Sequence, residues 1–379
     1  MRPIQMVDLK QQYHSIKNEI DAAVLTVLES SAFINGPQVQ GFASALAGYH
    51  DVKHVIPCAN GTDALQIVMM ALNLRPGDEV ITPSFTFIAT AEVIALLKLK
   101  PVFVDIDPKT FCINASLIEA AITEKTKAIV PVHLYGQAAD MEKIMQIATK
   151  YNLHVIEDNA QAIGCDFYFA NGNTKKTGTI GIAGTTSFFP SKNLGAYGDA
   201  GAITTDDDEL ADKIRKVANH GQNKRYYHEI VGCNSRLDTI QAAILEVKLK
   251  YLDEYVSARR KVADFYDEAF KDYPEIITPF KADYCSHVFH QYTLILEGVN
   301  RDELNAGLAE SNIPSMIYYP VPAHKQEMFA AYGSADISLP ITDDLCGKVI
   351  SLPIHTEMDE DQLKWITSKI IEFVIKKRK

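Results

Sequence analysis

One lysine in the chain stands where its side chain could act as a nucleophile. Lys192 is the sole basic residue in residues 186–201, a run rich in apolar, hydroxyl-bearing and glycine residues. Because burial disfavours a charged ammonium group, a lysine in such surroundings has a lowered pKa and a neutral amine that can attack a carbonyl carbon. A solvated lysine on a surface loop is the alternative that this segment leaves open.

A carboxylate at the end of an apolar strand is the second chemical feature. Residues 154–161 read His-Val-Ile-Glu-Asp-Asn-Ala-Gln, and alternation along the strand turns Glu157 and Asp158 to opposite faces of a sheet. A buried acid is costly unless a cation or a hydrogen-bond donor faces it. Asp158 therefore requires a partner, either the N–H groups of a following helix or a protonated ring nitrogen in a ligand.

The third feature is a predicted helix start. Gly61 and Thr62 open an amphipathic stretch that runs to residue 72. Unpaired N–H groups and the helix dipole at such a start bind phosphate without any lysine or arginine. A plain N-cap role for Thr62 is the alternative. The segment has neither the P-loop nor the dinucleotide-binding glycine spacing, which argues against nucleotide hydrolases and dehydrogenases.

Together these features match the requirements of pyridoxal phosphate, which are a phosphate cradle, a carboxylate for the ring nitrogen and a Schiff-base lysine. Ser187 adds a hydroxyl five residues before Lys192. An aromatic side chain must also cover the cofactor ring, and Phe85 and Phe87 follow a predicted strand end where one of them can stack. Core packing is the expected role of at least one of the two.

A parallel sheet is needed to bring these residues together. Between about residue 55 and residue 250, short β-rich runs alternate with helical stretches, which predicts an α/β fold with a mostly parallel central sheet and flanking helices. In such a sheet, ligands bind beyond the carboxyl ends of the strands. The predicted strands are residues 79–82, 101–105, 128–132, 154–157, 185–189 and 201–205.

The remaining chain predicts a second, smaller domain. Apolar spacing indicates one long helix over residues 238–270 that links the two domains. Beyond it, a strand at 287–296 and helices at 302–311 and 359–376 predict a C-terminal α+β domain. The predicted division is a large domain of residues 1–250, which includes the N-terminal segment, and a small domain of residues 251–379.

Composition excludes several classes of protein. The chain has 379 residues with 37 basic and 48 acidic side chains, and a net charge of −11 repels nucleic acid. The apolar runs fall short of the roughly 20 residues that cross a bilayer. The six cysteines have neither zinc-ligand nor disulfide-framework spacing, and the N-terminus lacks an apolar signal core. We expect a cytoplasmic protein with no metal, no membrane span and no nucleic-acid partner.

Six motifs identify a known family. The chain resembles, over essentially its whole length, the sugar aminotransferases of the DegT/DnrJ/EryC1/StrS family, which are pyridoxal-phosphate enzymes of fold type I. The resemblance implies an aminotransferase that alternates between the pyridoxal and pyridoxamine forms of its cofactor. The matching stretches are residues 60–65, 82–90, 131–136, 155–161, 187–193 and 234–238.

The resemblance implies roles for individual residues around the cofactor ring. Lys192 holds the cofactor as a Schiff base and then shuttles a proton, and Asp158 pairs with the ring nitrogen. Gln161, at a position where relatives often have His, lies beside the ring and its phenolic oxygen, while Phe87 stacks on the ring. The implied phosphate contacts are Gly61, Thr62, Ser187 and, from the neighbouring subunit of an obligate homodimer, Asn234.

Within the family, the chain is most similar to aminotransferases that act on a UDP-2-acetamido-2-deoxy-3-oxo-hexuronate for bacterial surface polysaccharide. Arg236 is the candidate cation for the uronate carboxylate, with a structural salt bridge as its alternative. Tyr318 stands where similar uronate enzymes tend to have His, so the chain departs from the pattern of their carboxylate pocket at this position. Further candidates on the substrate side are Arg225, Tyr319, His133, Tyr135, His228 and His324.

The expected reaction is transfer of an amino group from L-glutamate to a nucleotide-linked keto sugar. One alternative is a 3- or 4-aminotransferase for a dTDP- or UDP-linked 6-deoxy-ketohexose, which needs no carboxylate partner. The other is a regulator that binds the cofactor, or none, without turnover. Lys192 argues against the dehydratases of the family, in which His replaces that lysine.

Overall fold

The computed structural model describes residues 2–334 and 336–377, which form thirteen α-helices, four short 3₁₀ helices and fourteen strands. The helices are α1 Leu9–Ser15, α2 Lys17–Ser30, α3 Pro37–His50, α4 Gly61–Ala71, α5 Ala89–Leu96, α6 Ala115–Ile118, α7 Met141–Tyr151, α8 Asp208–Ala218, α9 Thr239–Leu249, α10 Leu252–Phe270, α11 Arg301–Glu310, α12 Pro340–Lys348 and α13 Glu360–Lys377. The strands are β1 His54–Cys58, β2 Glu79–Pro83, β3 Lys100–Val104, β4 Thr126–Ile129, β5 His154–Asp158, β6 Asp166–Tyr168, β7 Thr174–Lys176, β8 Ala183–Ser187, β9 Gly201–Thr205, β10 Gln222–Lys224, β11 Tyr227–His228, β12 Ile276–Ile277, β13 Tyr292–Leu296 and β14 Val349–Leu352.

A seven-stranded sheet in the order β3-β2-β4-β5-β8-β9-β1 forms the centre of the fold. The pairs from β3 to β8 are parallel, and β9 is antiparallel to both of its neighbours. The other six strands therefore run in one direction, which confirms the predicted mostly parallel sheet.

Two apolar layers cover the faces of this sheet. Successive residues of one strand divide between them: Ile129 packs into one core and Ala128 into the other, and Val155 and Ile156 divide in the same way. Because both faces are covered, successive residues of β2 and β9 are all buried rather than alternately exposed.

The common strand direction fixes the position of the candidate site. β2, β5 and β8 end at Pro83, Asp158 and Ser187, and β5 pairs with both β4 and β8. Because these strands are parallel, their following loops emerge at the same edge of the sheet. Asp158 and the loop that carries Lys192 therefore lie side by side.

A second, three-stranded antiparallel sheet of β12, β13 and β14 lies in the C-terminal part. It shares an apolar core with α10, α11 and α13, and Ile4 of the N-terminal segment packs into that same core. Arg2 Nη2 also lies 3.1 Å from the Asp359 carboxylate. The division into domains at residues 250 and 251 stays a prediction, and these contacts tie the N-terminal segment to the C-terminal core.

The prediction of one long helix over residues 238–270 is wrong. Tyr251, with φ −102° and ψ 0°, separates α9 from α10, and its N–H bonds to the Lys248 carbonyl three residues back. α9 packs against α2 and α3, whereas α10 packs against α13. These different partners require different helix directions, which the continuous apolar periodicity does not reveal.

Other predicted boundaries hold more closely. α11 and α13 match the predicted helices to within one residue at each end. The predicted strand over 287–296 is too long, because only its second half forms β13, while Val288 and Gln291 bond to the backbone of Gly136 and Tyr135 outside any sheet.

Among the described residues, no helix is long and apolar enough to span a membrane, and no group of three or more His, Cys, Asp or Glu side chains is arranged to hold a metal ion.

Candidate active site

Asp158 ends β5 as a buried carboxylate with one donor on each oxygen. Its Oδ2 accepts a 2.7 Å hydrogen bond from the Thr90 hydroxyl, and its Oδ1 accepts a 3.1 Å bond from the Ala160 N–H. No helix follows, since residues 160–164 form turns, so the N-cap alternative for Asp158 is wrong. Each oxygen keeps a lone pair for a further donor.

Lys192 lies in the loop after β8 and is half-buried. Burial lowers the pKa of its amine to about 8, although the Asp158 carboxylate acts in the opposite direction. The amine is therefore partly neutral near physiological pH, which is the form that attacks a carbonyl. This environment favours the nucleophile over the alternative of a solvated surface lysine.

The start of α4 offers free hydrogen-bond donors. Asn60 is the N-cap of this helix, because its Oδ1 accepts a 2.7 Å bond from the Asp63 N–H, so the N-cap alternative for Thr62 is wrong. Within the described part of the chain, the N–H groups of Gly61 and Thr62 and the Thr62 hydroxyl have no acceptor. They are donors of the kind that bind a phosphate at a helix N-terminus.

Gly61 also lies directly against Ser187. A Cβ placed on Gly61 would be 2.7 Å from the Ser187 Cβ, closer than real side chains approach. The absence of a side chain at Gly61 therefore lets the start of α4 and the end of β8 come together. The Ser187 Oγ would lie 3.4 Å from that same Cβ position, so the hydroxyl stands beside the start of the helix.

A network of four residues surrounds the side chain of Gln161. Gln161 Oε1 accepts a 2.8 Å bond from the Tyr135 N–H, and Gln161 Nε2 donates a 3.1 Å bond to the Tyr319 hydroxyl. The Tyr135 hydroxyl donates in turn to the Tyr318 carbonyl. Gln161 Nε2 carries a second hydrogen, which remains for a ligand oxygen.

The two candidate stacking residues have different surroundings. Phe85 is fully buried in the core, whereas the side chain of Phe87 is 55% exposed. The Phe87 ring lies 6.3 Å from the ring of Tyr319, which places it beside the Gln161 network. Of the two, Phe87 is the one with a free face for a ligand ring.

These groups fit pyridoxal phosphate. Free N–H and hydroxyl groups stand ready for the phosphate, Asp158 has lone pairs for the ring nitrogen, and Phe87 has an open aromatic face. The Lys192 amine is deprotonated readily. The arrangement suits a cofactor held by its phosphate, its ring edge and one covalent bond.

Among the described residues of one chain, no contact links Asn234, Arg236 or Arg225 to the residues around Lys192. Asn234 is exposed and accepts from the Arg236 guanidinium, which also donates a 3.3 Å bond to Asn219 Oδ1. Within one chain, no carboxylate of a described residue lies within ion-pair distance of Arg236, so its contacts there are with asparagine oxygens rather than with an acid. Arg225 lies on the exposed β10–β11 hairpin, over the ring of Tyr226.

His133 is a structural residue rather than a substrate contact. Its Nε2 lies 2.8 Å from Glu157 Oε2, its Nδ1 accepts from the Ala139 N–H, and it is fully buried. Burial would raise the pKa of Glu157, but His133 and the N–H groups of Gly181 and Gly178 hold it below its usual value. This pair lies on the face of the sheet opposite Asp158, as strand alternation predicts.

The two other candidate histidines are also bonded within the chain. The ring of His324 is buried and its Nδ1 lies 2.7 Å from the Ser84 hydroxyl. His228 is exposed on the β10–β11 hairpin, and its Nδ1 donates a 2.8 Å bond to the His220 carbonyl. Neither contacts the group around Lys192.

Thr90 and Thr86 are functional candidates that the sequence alone did not reveal. Thr90 contacts Asp158 across 68 positions of the chain, and the Thr86 hydroxyl lies 3.1 Å from that of Thr90. The available signal was a pair of hydroxyl residues just after a strand that ends at the ligand-binding edge. Both residues lie within a motif of the resemblance, but no role was drawn from it.

Comparison with known proteins shows relatives over nearly the whole chain. The model of the DegT/DnrJ/EryC1/StrS aminotransferase family matches residues 14–371. A pleiotropic regulatory protein of Geobacillus stearothermophilus is 49% identical, with 98% of each chain covered. A UDP-2-acetamido-2-deoxy-3-oxo-D-glucuronate aminotransferase of Pseudomonas aeruginosa is 47% identical over 97% of this chain and 99% of its own. A UDP-N-acetyl-3-dehydro-α-D-glucosamine 3-aminotransferase of Acidithiobacillus ferrooxidans is 44% identical over 97% of both.

Solved structures agree with this chain in fold. A DegT/DnrJ/EryC1/StrS aminotransferase from Brucella abortus is 42% identical with a TM-score of 0.91, covering 98% of this chain and 99% of its own. DesV from S. venezuelae, solved with a ketimine intermediate, is 36% identical with a TM-score of 0.93 over 99% of both chains. NtdA from Bacillus subtilis, solved with the cofactor PMP, is 32% identical with a TM-score of 0.91 over 99% of this chain and 86% of its own.

These matches confirm the predicted fold type and the predicted class of pyridoxal-phosphate-dependent sugar aminotransferase. They agree with the geometry, in which the motifs of the resemblance meet at one edge of the sheet. The chain belongs to the DegT/DnrJ/EryC1/StrS aminotransferase family.

Proposed function

We propose that this chain transfers an amino group from L-glutamate to the 3-keto carbon of a UDP-linked 2-acetamido-2-deoxy-hexuronate, using pyridoxal 5′-phosphate. The product serves the synthesis of lipopolysaccharide and O-antigen sugars. The observation that carries the proposal is Lys192, whose amine has a pKa lowered to about 8 and interacts with the buried carboxylate of Asp158. The names of the relatives that are 47% and 44% identical support a UDP-linked 3-oxo sugar, and the name of the first of them supports the uronate.

Each group of the site has a part in this reaction. When bound, the cofactor supplies an electron sink and a temporary carrier for the amino group. Lys192 binds the cofactor covalently and, once displaced by a substrate amine, takes up and returns the migrating proton. An amine with a pKa near 8 suits both directions of that transfer near neutral pH. Asp158 holds the ring nitrogen protonated, and Phe87 covers one face of the ring.

Binding of the phosphate is assigned to the start of α4 and to Ser187. The N–H groups of Gly61 and Thr62, the Thr62 hydroxyl and the Ser187 hydroxyl are donors, and the dipole of α4 favours an anion there. No positively charged side chain is needed. Gln161 is assigned to the phenolic oxygen of the cofactor, through the hydrogen that its bond to Tyr319 leaves unused.

Arg236 is the proposed partner of the uronate carboxylate. Two asparagine oxygens orient its guanidinium without neutralising it, so its full charge remains available to an anion. Tyr318, Tyr319 and Arg225 are the other proposed substrate contacts. Tyr319 adjoins both Gln161 and Phe87, and Arg225 projects on the β10–β11 hairpin, where it can reach a neighbouring subunit.

We further propose a cytoplasmic homodimer with two shared active sites, in which Asn234 reaches the phosphate of the partner's cofactor. Exposed apolar side chains support an interface, since Phe33, Ile34, Phe189 and Val231 are 45% to 83% exposed in one chain. Phe189 belongs to the Lys192 loop, and Val231 lies three residues before Asn234. A contact that covers them would bring these two segments together across the interface.

Two other functions remain as alternatives to be tested. A 6-deoxy-ketohexose aminotransferase is favoured by Tyr318, at a position where similar uronate enzymes have His. A regulator without turnover is suggested by the name of the relative that is 49% identical, but the retained Lys192 and Asp158 argue for catalysis.

The test is a pair of single-turnover experiments on the purified holoenzyme. Addition of L-glutamate alone is expected to convert the cofactor to its pyridoxamine form, which is followed by absorbance. The pyridoxamine form is then offered the UDP-linked 3-oxo-hexuronate and a dTDP-linked 6-deoxy-3-ketohexose at equal concentration. Preferential amination of the hexuronate supports the proposal, preference for the 6-deoxy sugar selects the first alternative, and no reaction with glutamate selects the regulator.

A further inference from the structure

We infer that Thr90 is a positioning residue for catalysis, which holds the Asp158 carboxylate in place and aimed at the ring nitrogen of the cofactor, and that Thr86 supports it. The inference deepens the proposed function and rests on it. Thr90 acts through Asp158 and is assigned no contact with substrate or cofactor.

The hydrogen bond between Thr90 and Asp158 is short and shielded from solvent. Thr90 Oγ1 lies 2.7 Å from Asp158 Oδ2, and their exposed fractions are 1% and 5%. Among the neighbours of this hydroxyl, the carboxylate is the closest, since the Phe87 carbonyl is 3.3 Å away. A single hydroxyl proton therefore goes to the carboxylate, where the bond is charge-assisted.

Thr86 completes a directed chain of hydroxyl groups. Its Oγ1 lies 3.1 Å from the Thr90 Oγ1, and Thr86 is also buried. Because the Thr90 proton is committed to Asp158, Thr90 accepts from Thr86. The two hydroxyls then point in one direction, from Thr86 to Thr90 to Asp158, and each bond polarises the next.

These bonds orient the carboxylate as well as stabilising its charge. The Thr90 hydroxyl occupies one site on Oδ2, and the Ala160 N–H occupies one site on Oδ1. With both oxygens held, the carboxyl plane cannot rotate freely, and the remaining lone pairs keep a fixed direction. A carboxylate held in this direction makes an aligned, charge-assisted bond to the protonated ring nitrogen, and loss of that alignment weakens the hold of the nitrogen on its proton.

The same short segment also carries the stacking residue. Phe87 lies between Thr86 and Thr90, and its carbonyl accepts a 3.4 Å bond from the Thr90 N–H. The segment between the end of β2 and the first turn of α5 thus presents a ring to the face of the cofactor and a hydroxyl to the acid at its edge. One stretch of backbone therefore sets both the position of the Phe87 ring and the hydrogen bond that holds Asp158 at the cofactor nitrogen.

The test compares Thr90→Val, which keeps the shape but removes the hydroxyl, with Thr90→Ser, which keeps the hydroxyl. Thr367→Val is the matched control, because Thr367 is a buried threonine in α13 whose hydroxyl bonds only to backbone carbonyls of its own helix. Each protein is reconstituted with pyridoxal phosphate. Two quantities are measured: the pH midpoint of the absorbance change of the lysine-bound cofactor, and the rate of the half-reaction with glutamate.

We expect Thr90→Val to raise the pH midpoint by about one unit and to slow the glutamate half-reaction by about tenfold, the effect of losing one bond to a charged group. The midpoint rises because a less protonated ring repels a proton on the lysine nitrogen less strongly. Thr90→Ser is expected to restore both values, and Thr86→Val to shift them in the same direction by less. Thr367→Val should leave them unchanged.

A Thr90→Val enzyme with the wild-type midpoint and rate overturns the inference, and so does a Thr90→Ser enzyme as impaired as Thr90→Val. If Thr90→Val does not fold, Thr86→Val decides, since a wild-type midpoint in that variant contradicts the directed chain. Failure of the proposed function is a different result, because it shows in the wild-type protein itself, as no half-reaction with glutamate or as a preference for the 6-deoxy sugar, whereas the inference is judged from the difference between wild type and the Thr90 variants.

Discussion

The side-chain amide of Gln161 joins the phenol of Tyr319 to the backbone of Tyr135. Its Nε2 lies 3.1 Å from the Tyr319 hydroxyl, and its Oε1 lies 2.8 Å from the Tyr135 nitrogen. Since the Tyr135 hydroxyl bonds to the Tyr318 carbonyl, the four residues close a ring of contacts. Tyr318 and Tyr319, which are assigned to the substrate, are thereby tied to Gln161, which is assigned to the cofactor.

This ring of contacts predicts unequal effects of two substitutions. Tyr319→Phe removes one hydrogen bond from Gln161, and we expect cofactor affinity to fall by no more than about tenfold. Gln161→Leu also leaves the buried Tyr135 N–H without an acceptor, which costs roughly 1–3 kcal/mol of unfolding free energy. Fluorescence titration with pyridoxal phosphate and chemical denaturation measure the two effects. Equal loss of stability in both variants would contradict the ring of contacts.

Gly61→Ala is expected to disrupt the phosphate site. The new Cβ would lie 2.7 Å from the Ser187 Cβ, so the start of α4 must move away from β8. We expect cofactor affinity to fall about tenfold or more through this steric conflict. Gly48→Ala is the matched control, since a Cβ at that position of α3 meets nothing within 4 Å. Cofactor titration of both variants is the measurement, and wild-type affinity in Gly61→Ala would argue against the assigned cradle.

Capture of the cofactor by the apoenzyme is expected to depend on pH through Lys192. Only the neutral amine reacts, and its pKa is lowered to about 8. The capture rate should therefore rise about tenfold per pH unit below that value and level off above it. Because the Asp158 carboxylate raises the pKa of Lys192, the levelling should begin at lower pH in Asp158→Asn. Stopped-flow absorbance gives both profiles, and a rate that still rises steeply near pH 10 would indicate an ordinary lysine.

Arg236→Ala is expected to discriminate between sugar substrates. Loss of the guanidinium should reduce kcat/KM for the uronate about 10- to 100-fold, as for other hydrogen bonds to charged groups. A 6-deoxy sugar, which has no carboxylate, serves as the internal control for damage to the contacts with Asn234 and Asn219. Arg236→Lys should have a kcat/KM for the uronate between those of the wild type and of Arg236→Ala, because it keeps the charge but loses the planar fork. An equal loss on both sugars would assign Arg236 a structural role.

The sequence predicted the elements that have local signals. α11 and α13 are amphipathic and were placed to within one residue, and buried parallel strands such as β5 are recognisable as short apolar runs. The order of Gly61, Asp158 and Lys192 along the chain predicted the cofactor chemistry. Parallel strand ends explain why residues so distant in sequence lie at one edge of the sheet.

Contacts between distant residues were not predictable in this way. The bond from Thr90 to Asp158 spans 68 positions, and the bond from Tyr135 to Tyr318 spans 183. His133 was a substrate candidate only because its partner Glu157, 24 positions away, could not be paired with it from sequence. The end of α9 at Leu249 likewise depends on which helices pack beside it, and periodicity carries no such information.

Covalent attachment of the cofactor at Lys192 is the central claim of this account, and reductive trapping tests it most directly. The holoenzyme is treated with borohydride, digested and analysed by mass spectrometry, with Lys192→Ala and Lys192→Arg treated in parallel. We predict one phosphopyridoxyl adduct, on Lys192, and no turnover in either variant. An adduct on another side chain such as Lys248, no adduct at all, or retained transamination in a Lys192 variant would contradict the account.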